Sequence, residues 1–204
     1  IPSMHTPMKK TIAVLCAMMM VYACATVPVT GRKQLNLVSQ AEIIGQSAEQ
    51  YKEVLATSKL STNQQYVNTV KTVGARIKGA VEQYMAQKGL SAELEGFNWE
   101  FNVIHNDTTV NAWCMPGGKI AVYTGLIERL NVTDDELAAV MGHEIAHALR
   151  EHGREKASQQ AAQNAVIGVG AAILGIGQAG ASLANMAAQV TFGLPNSREM
   201  EREA

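Results

Sequence analysis

Two histidines one helical turn apart, the first followed directly by a glutamate, are the residues of this chain best placed to do chemistry. They form the run His143-Glu144-Ile145-Ala146-His147, an H-E-x-x-H pattern inside a helical stretch. At about 100° per residue the two imidazoles emerge on one helix face, close enough to grip a single metal ion, zinc above all. Glu144 lies about 100° around from His143, where its carboxylate reaches a water on the ion without itself being a ligand. This division of labour suits hydrolysis. The ion acidifies the water and polarises a carbonyl, and the glutamate takes the proton and hands it to the leaving amine.

The residues around the motif can build the helix it needs. Thr133-Asp134-Asp135-Glu136 is a capping box with acidic residues in the first turn, and Leu137, Met141, Ile145, Ala148 and Leu149 follow at helical spacing. A helix from about Asp134 to His152 is predicted, with His143 and His147 at the edge of its apolar arc, on the wall of a cleft. Five residues beyond His147, His152 points about 140° away on a straight helix and cannot join the pair. It reads as a histidine behind the ligands or at the surface. The longer H-E-x-x-H-x-x-G-x-x-H pattern is excluded, because Arg150 and Gly153 stand where its glycine and third histidine belong. The third ligand has to come from elsewhere in the chain.

Upstream, Ser39 to Glu42 is a further capping box and opens a helix to about Thr57, and a second helix is predicted over Ser61 to Lys88. Its Tyr66, Val70, Val73, Ile77, Val81 and Tyr84 recur at three- and four-residue steps, and Gly89 stops it. The period then changes to two. Trp99, Phe101 and Val103 alternate with Glu100, Asn102 and Ile104; Val110 to Met115 is a second extended run, and Pro116-Gly117-Gly118 turns the chain into a third, Lys119 to Tyr123. A small antiparallel sheet therefore precedes the metal helix. His105, beside Asn106-Asp107, reads as part of a turn rather than a ligand. Beyond Ala157 the chain becomes small and apolar, but its longest run without a polar residue, Ala165 to Gly177, is shorter than the roughly 18 residues of a membrane span. Residues 157–193 read as a close-packed helical hairpin, a lid or plug, or a hairpin dipping into a membrane.

Composition limits the rest. With 204 residues, 47% hydrophobic and 17% charged, the chain can bury one sizeable core, and a formal charge of −1 without a basic cluster argues against nucleic acid as a partner. Met8-Lys9-Lys10 and the apolar run Thr11 to Ala23 have the form of a secretory signal, with Ile1 to Pro7 preceding the natural start. Val21-Tyr22-Ala23-Cys24 resembles a bacterial lipobox, which would leave Cys24 as a lipidated N-terminus; a plain signal-peptide cut is the other reading. The expected organisation is thus residues 1–23 removed, 24–38 a lipidated tether, and 39–204 a zinc metallopeptidase domain. Cys16 leaves with the signal and Cys24 carries lipid, so Cys114 has no intrachain partner.

Four segments in order carry a resemblance: Pro28-Val29-Thr30-Gly31-Arg32 after the lipobox, Asn111 to Gly118 with its Met-Pro-Gly-Gly end, the His143 to His147 motif, and Ser197 to Ala204. Together they are similar to the gluzincin metallopeptidases of the HtpX and CAAX prenyl protease type, most closely to their periplasmic lipoprotein branch (LoiP- and BepA-like). The resemblance implies an α+β, zincin-like fold and an endopeptidase with one zinc per chain. It also implies that Glu201 completes the zinc site and that the Asn111-Ala112-Trp113 strand lines the substrate cleft, where extended peptides add to its edge. Implied partners are unfolded or misassembled envelope proteins and outer-membrane assembly machinery. The implied location is the periplasmic face of the outer membrane of a Gram-negative bacterium, and Ala25 lacks the aspartate that would signal inner-membrane retention. The family pattern continues beyond Ala204 with an aspartate and a later histidine, so the sequence is expected to stop inside the domain.

Helical position selects the same late carboxylate. On a wheel from Ser197, Glu199 and Glu203 fall with Arg198 and Arg202, whereas Glu201 falls between Ser197 and the apolar pair Met200 and Ala204. Glu151 and Glu155 lie too far along the metal helix to close a tetrahedron with its histidines. Two other readings compete. A chaperone could use the cleft without cutting, but it would have no use for Glu144; a di-iron bundle would need a second E-x-x-H pair, which the sequence lacks.

Overall fold

The alternating runs of the sequence become the strands of one sheet, and two long helices and a third that carries the motif cover it. The computed structural model describes residues 24–27, 30–31, 33–35, 37–174 and 198–204. Strands β1 (Cys24–Thr26) and β2 (Lys33–Leu35) form an antiparallel ribbon, with Cys24 opposite Leu35. Helices α1 (Gln40–Thr57) and α2 (Gln64–Gln87) follow, then β3 (Glu100–Ile104), β4 (Ala112–Met115) and β5 (Lys119–Tyr123). A short α3 (Thr124–Leu130) leads to the metal-motif helix α4 (Asp134–Leu149), then α5 (His152–Leu174) and α6 (Arg198–Glu203).

The sheet is mixed rather than antiparallel, in the order β3-β5-β4. β4 and β5 form the expected hairpin, its turn carried by Gly117 and Gly118 at φ of 84° and 78°, which glycine adopts without strain. The 105–111 connection is long enough for β4 to return one strand-width away from β3. β5 then runs up the gap, parallel to β3. Local period cannot reveal this order, because it says which residues share a face and nothing about which strand is the neighbour. The connection is pinned by the junction of β5 and α3: Thr124 Oγ1 donates to Asp107 Oδ1 at 2.6 Å and accepts from the Asn106 amide at 2.9 Å. Gly125 passes so close that a Cβ there would run into the Thr109 carbonyl oxygen. Asn106, not His105, closes the turn, accepting from the amides of Thr108 and Thr109.

Both faces of the sheet are covered, so both alternating sets are used. Val103, Ile120 and Val122 meet Val70 and Val73 of α2 and Leu137, Met141 and Ile145 of α4 in the main core. On the other face Ile104, Ala121, Trp113 and Met115 pack with Tyr51 of α1. Ile104, grouped with the polar set by the sequence pattern, is accordingly 4% exposed. Tyr51 anchors that layer, its hydroxyl donating to the Ile120 carbonyl at 2.6 Å and accepting from Asn102 Nδ2 at 3.1 Å.

Helix ends follow their caps. Ser39 accepts from the Glu42 amide and α1 ends at Thr57, while α2 starts three residues later than the sequence reading, because Asn63 rather than Ser61 accepts from the amides of Gln65 and Tyr66. The box at Thr133 and Glu136 is complete in both directions. α4 itself stops at Leu149 instead of running to His152. Arg150 closes its last turn, Glu151 takes a left-handed φ of 55°, and α5 starts afresh at His152. No glycine, proline or asparagine occupies 150 or 151, so sequence chemistry offers no sign of the break. The residues before α1 hold the new helix: Arg154 Nε donates to the Val38 carbonyl at 2.6 Å, and the buried Ser158 hydroxyl accepts from the Leu37 and Val38 amides. Of the expected 157–193 hairpin, 157–174 continues α5 and the remainder lies outside the described residues, as do residues 1–23, expected to be a signal, and Ser197. No helix among the described residues is long and apolar enough to cross a membrane.

Candidate metal centre

α4 presents its two histidines from the end of its apolar stripe. Met141 and Ile145 are buried beneath the motif, so His143, Glu144 and His147 are left around the rim. α6 packs against the same helix, its Met200 buried, and this docking delivers Glu201 to the histidines. Glu201 Oε2 lies 3.3 Å from His143 Nε2 and 3.5 Å from His147 Nε2, and the two Nε2 atoms are 3.2 Å apart.

These spacings form a test of whether a metal fits. Three ligand atoms held about 2.0–2.2 Å from one tetrahedral ion are about 3.3–3.6 Å apart. The three distances fall on or next to that range, and the donors are two imidazole nitrogens and one carboxylate oxygen, a zinc-type set. Burial pushes the His147 imidazole below its ordinary pKa; Glu201 opposes the shift, while His152, His143 and Lys156 add to it. The neutral ring that results is the form that can ligate. Burial pushes the Glu144 carboxyl above the ordinary carboxylate range, His143 opposing and Glu201 reinforcing.

Glu201 reaches the histidines from the side of the cleft, its side chain still 45% exposed. What singles Glu201 out is therefore its proximity to both histidines rather than burial. Glu151 is turned away, accepting from Arg154 Nη1 at 2.6 Å, and His105 stands 3.6 Å from Asp107, apart from the site. Cys114 is free, and burial raises its thiol pKa well above the ordinary value, so it stays protonated.

The strand expected to line a substrate cleft is β4, and its side chains are engaged within the fold. Ala112 is buried in the main core, Trp113 meets Tyr51 edge-on with ring centroids 5.7 Å apart, and Asn111 Oδ1 accepts from the Ala112 amide. Among the described strands β4 has β5 on one side only, and α4 packs against it. Its offer to a ligand is main-chain, at the open edge. Of the two places the sequence leaves for His152, behind the ligands or at the surface, it takes the first: it is buried, with Nδ1 2.7 Å from His147 Nδ1. Only the unforeseen break at Glu151 puts it there.

Residues 72–204 match Peptidase family M48, and the chain belongs to that family. Among named relatives it is 34% identical over 181 residues to the mitochondrial metalloendopeptidase OMA1 of Schizosaccharomyces pombe, covering 87% of this chain and 49% of that one. It is 35% identical over 65 residues to metalloprotease YcaL of Escherichia coli, 32% of this chain and 24% of the relative. A putative beta-barrel assembly-enhancing protease of Vibrio cholerae is 29% identical over 107 residues, 47% and 22% of the two chains. The chain spans about half or less of the length of these relatives.

Proposed function

We propose that this chain is a zinc-dependent metalloendopeptidase, with His143, His147 and Glu201 holding the ion and Glu144 as general base. The observation that carries the reading is the convergence, at tetrahedral spacing, of Glu201 from α6 with the two histidines of α4, the helix that also presents Glu144. When bound, zinc supplies Lewis-acid chemistry, acidifying water and polarising a carbonyl. Glu144 takes the proton of the attacking water and delivers it to the amine of the departing peptide. Substrate lies extended along the Asn111-Ala112-Trp113 stretch of β4, on the edge away from β5; the Asn111 carbonyl faces β5 and accepts from the Tyr123 amide, so the outer edge is offered by the residues that alternate with it. Recognition through the main chain needs little sequence preference and suits unfolded polypeptides. Glu144→Gln keeps the shape but cannot accept the proton, so casein turnover should vanish while zinc content stays at that of wild type. Undiminished kcat in that variant would remove Glu144 from the role.

The substrate class we propose is unfolded or misassembled envelope proteins, with the bacterial lipoprotein branch as the nearest setting and β-barrel assembly machinery as a partner. Support comes from the lipobox-like Val21 to Cys24 and from a relative named for enhancing beta-barrel assembly. In this reading a lipid on Cys24 anchors the chain at the periplasmic face of the outer membrane, since each buried CH₂ of an acyl chain contributes about 0.8 kcal/mol. Cys24→Ala should then move the protein to the soluble fraction of Gram-negative cells; retention in washed membranes would show another anchor.

A further inference from the structure

His152 is almost wholly buried, and its Nδ1 sits 2.7 Å from Nδ1 of His147, with the two rings inclined at 64°. At that distance the two nitrogens share one proton, and only one way of sharing it is compatible with a ligand. For Nε2 of His147 to offer its lone pair to an ion, the ring's proton must be on Nδ1 and be donated to a bare Nδ1 of His152. The reverse arrangement would leave a proton on His147 Nε2, aimed at His143 and Glu201. We propose that His152 is the positioning residue of this metal centre, its Nδ1 accepting from His147 and holding that ring in the tautomer and orientation that turn Nε2 toward the ion. This rests on the reading of His143, His147 and Glu201 as the ligand set.

The backbone is arranged for the contact. On an unbroken helix a residue five places after His147 would lie about 140° away. The chain instead breaks at Glu151, in a left-handed conformation that non-glycine residues adopt at a cost, and such strain collects where a geometry is needed. The break is braced from two sides, by Arg154 on Glu151 and Val38, and by Ser158 on the amides of Leu37 and Val38. Metal-binding histidines are commonly oriented by a carboxylate or carbonyl. An imidazole nitrogen with a bare lone pair can do the same orienting.

Full-chain variants at this position separate orientation from packing. Asparagine places Oδ1 close to where Nδ1 stood, whereas glutamine reaches past it toward the Nε2 position. Zinc affinity, measured by competition with a chromophoric chelator, should fall about 10–100-fold in His152→Gln and His152→Leu, and His152→Asn should recover most of it. The visible spectrum of the cobalt(II)-substituted protein should change in the first two and return in the third. Thermal unfolding of the metal-free forms tracks packing, and His152→Gln should lose zinc affinity even where its metal-free stability equals that of His152→Asn. Equal zinc affinities for Asn and Gln variants, or a Leu variant with wild-type affinity and spectrum, would overturn the assignment. A wild-type chain that binds no zinc would instead bring down the ligand set on which it stands.

Discussion

Tyr51 shows what a single buried polar group contributes here. Its hydroxyl lies between the Ile120 carbonyl and Asn102, and burial first, with Glu100 and Cys114 adding and the Asn102 hydrogen bond opposing, raises its pKa to about 12. An unfolded tyrosine loses its proton near pH 10, so between about pH 10 and 12 the folded chain holds a proton that the unfolded chain has released. Stability from this group is complete below pH 10 and is lost as pH rises toward the folded pKa, by at most about 1.4 kcal/mol per pH unit. Urea unfolding from pH 7 to 12 should show that decline in the wild type and a shallower one in Tyr51→Phe. At pH 7 the phenylalanine variant should be less stable by about 1–2 kcal/mol, because a sheet carbonyl and a side-chain amide lose their partner. An identical alkaline limb in both proteins would place the titration elsewhere.

Among the elements, α4 depends most on its ends. Its first turn is closed by Thr133, whose hydroxyl accepts from the Glu136 amide while the Thr133 amide donates to Glu136 Oε2 at 2.8 Å. The backbone and side-chain hydrogen bonds from Thr133 hold the Glu136 carboxyl below its ordinary pKa. A depressed carboxylate stabilises the fold above its unfolded pKa and ceases to do so as pH falls through the folded value. Thr133→Ala removes the cap and the side-chain hydrogen bond to Glu136, so it should destabilise the chain at pH 7, and the gap to wild type should narrow below about pH 4, which denaturant titrations at the two pH values would measure. The opposite end was not legible. Arg150 and Glu151 are good helix formers, and the turn between α4 and α5 is imposed by contacts over 110 residues away in sequence, at Leu37 and Val38.

At the scale of the molecule, the proposed ion would tie the late helix α6 to α4, joining parts of the chain more than 50 residues apart. An ion that binds only the folded chain stabilises it by mass action, about 4 kcal/mol at a thousandfold excess over Kd. Adding zinc to metal-free protein should raise Tm, and Glu201→Ala should lose most of that rise and most of the bound zinc. Glu199→Ala and Glu203→Ala should keep both, and equal retention in all three variants would move the third ligand to another residue.

What the amino-acid sequence determined by itself was most of what neighbours within a turn or two govern. The H-E-x-x-H face, the Thr133 box, the α1 span and the three strand runs follow from spacing and capping, because a helix or strand converts short sequence separation directly into geometry. Glu201 stood out by its helical position beside Met200, although only the docking of α6 placed it 3.3 Å from His143. Tertiary structure alone decided the parallel pairing of β3 with β5, the commitment of Ala112 and Trp113 to the core, and the break at Glu151 that brings His152 onto His147. Each of these depends on packing between segments far apart in the chain, where local propensity has no information to give.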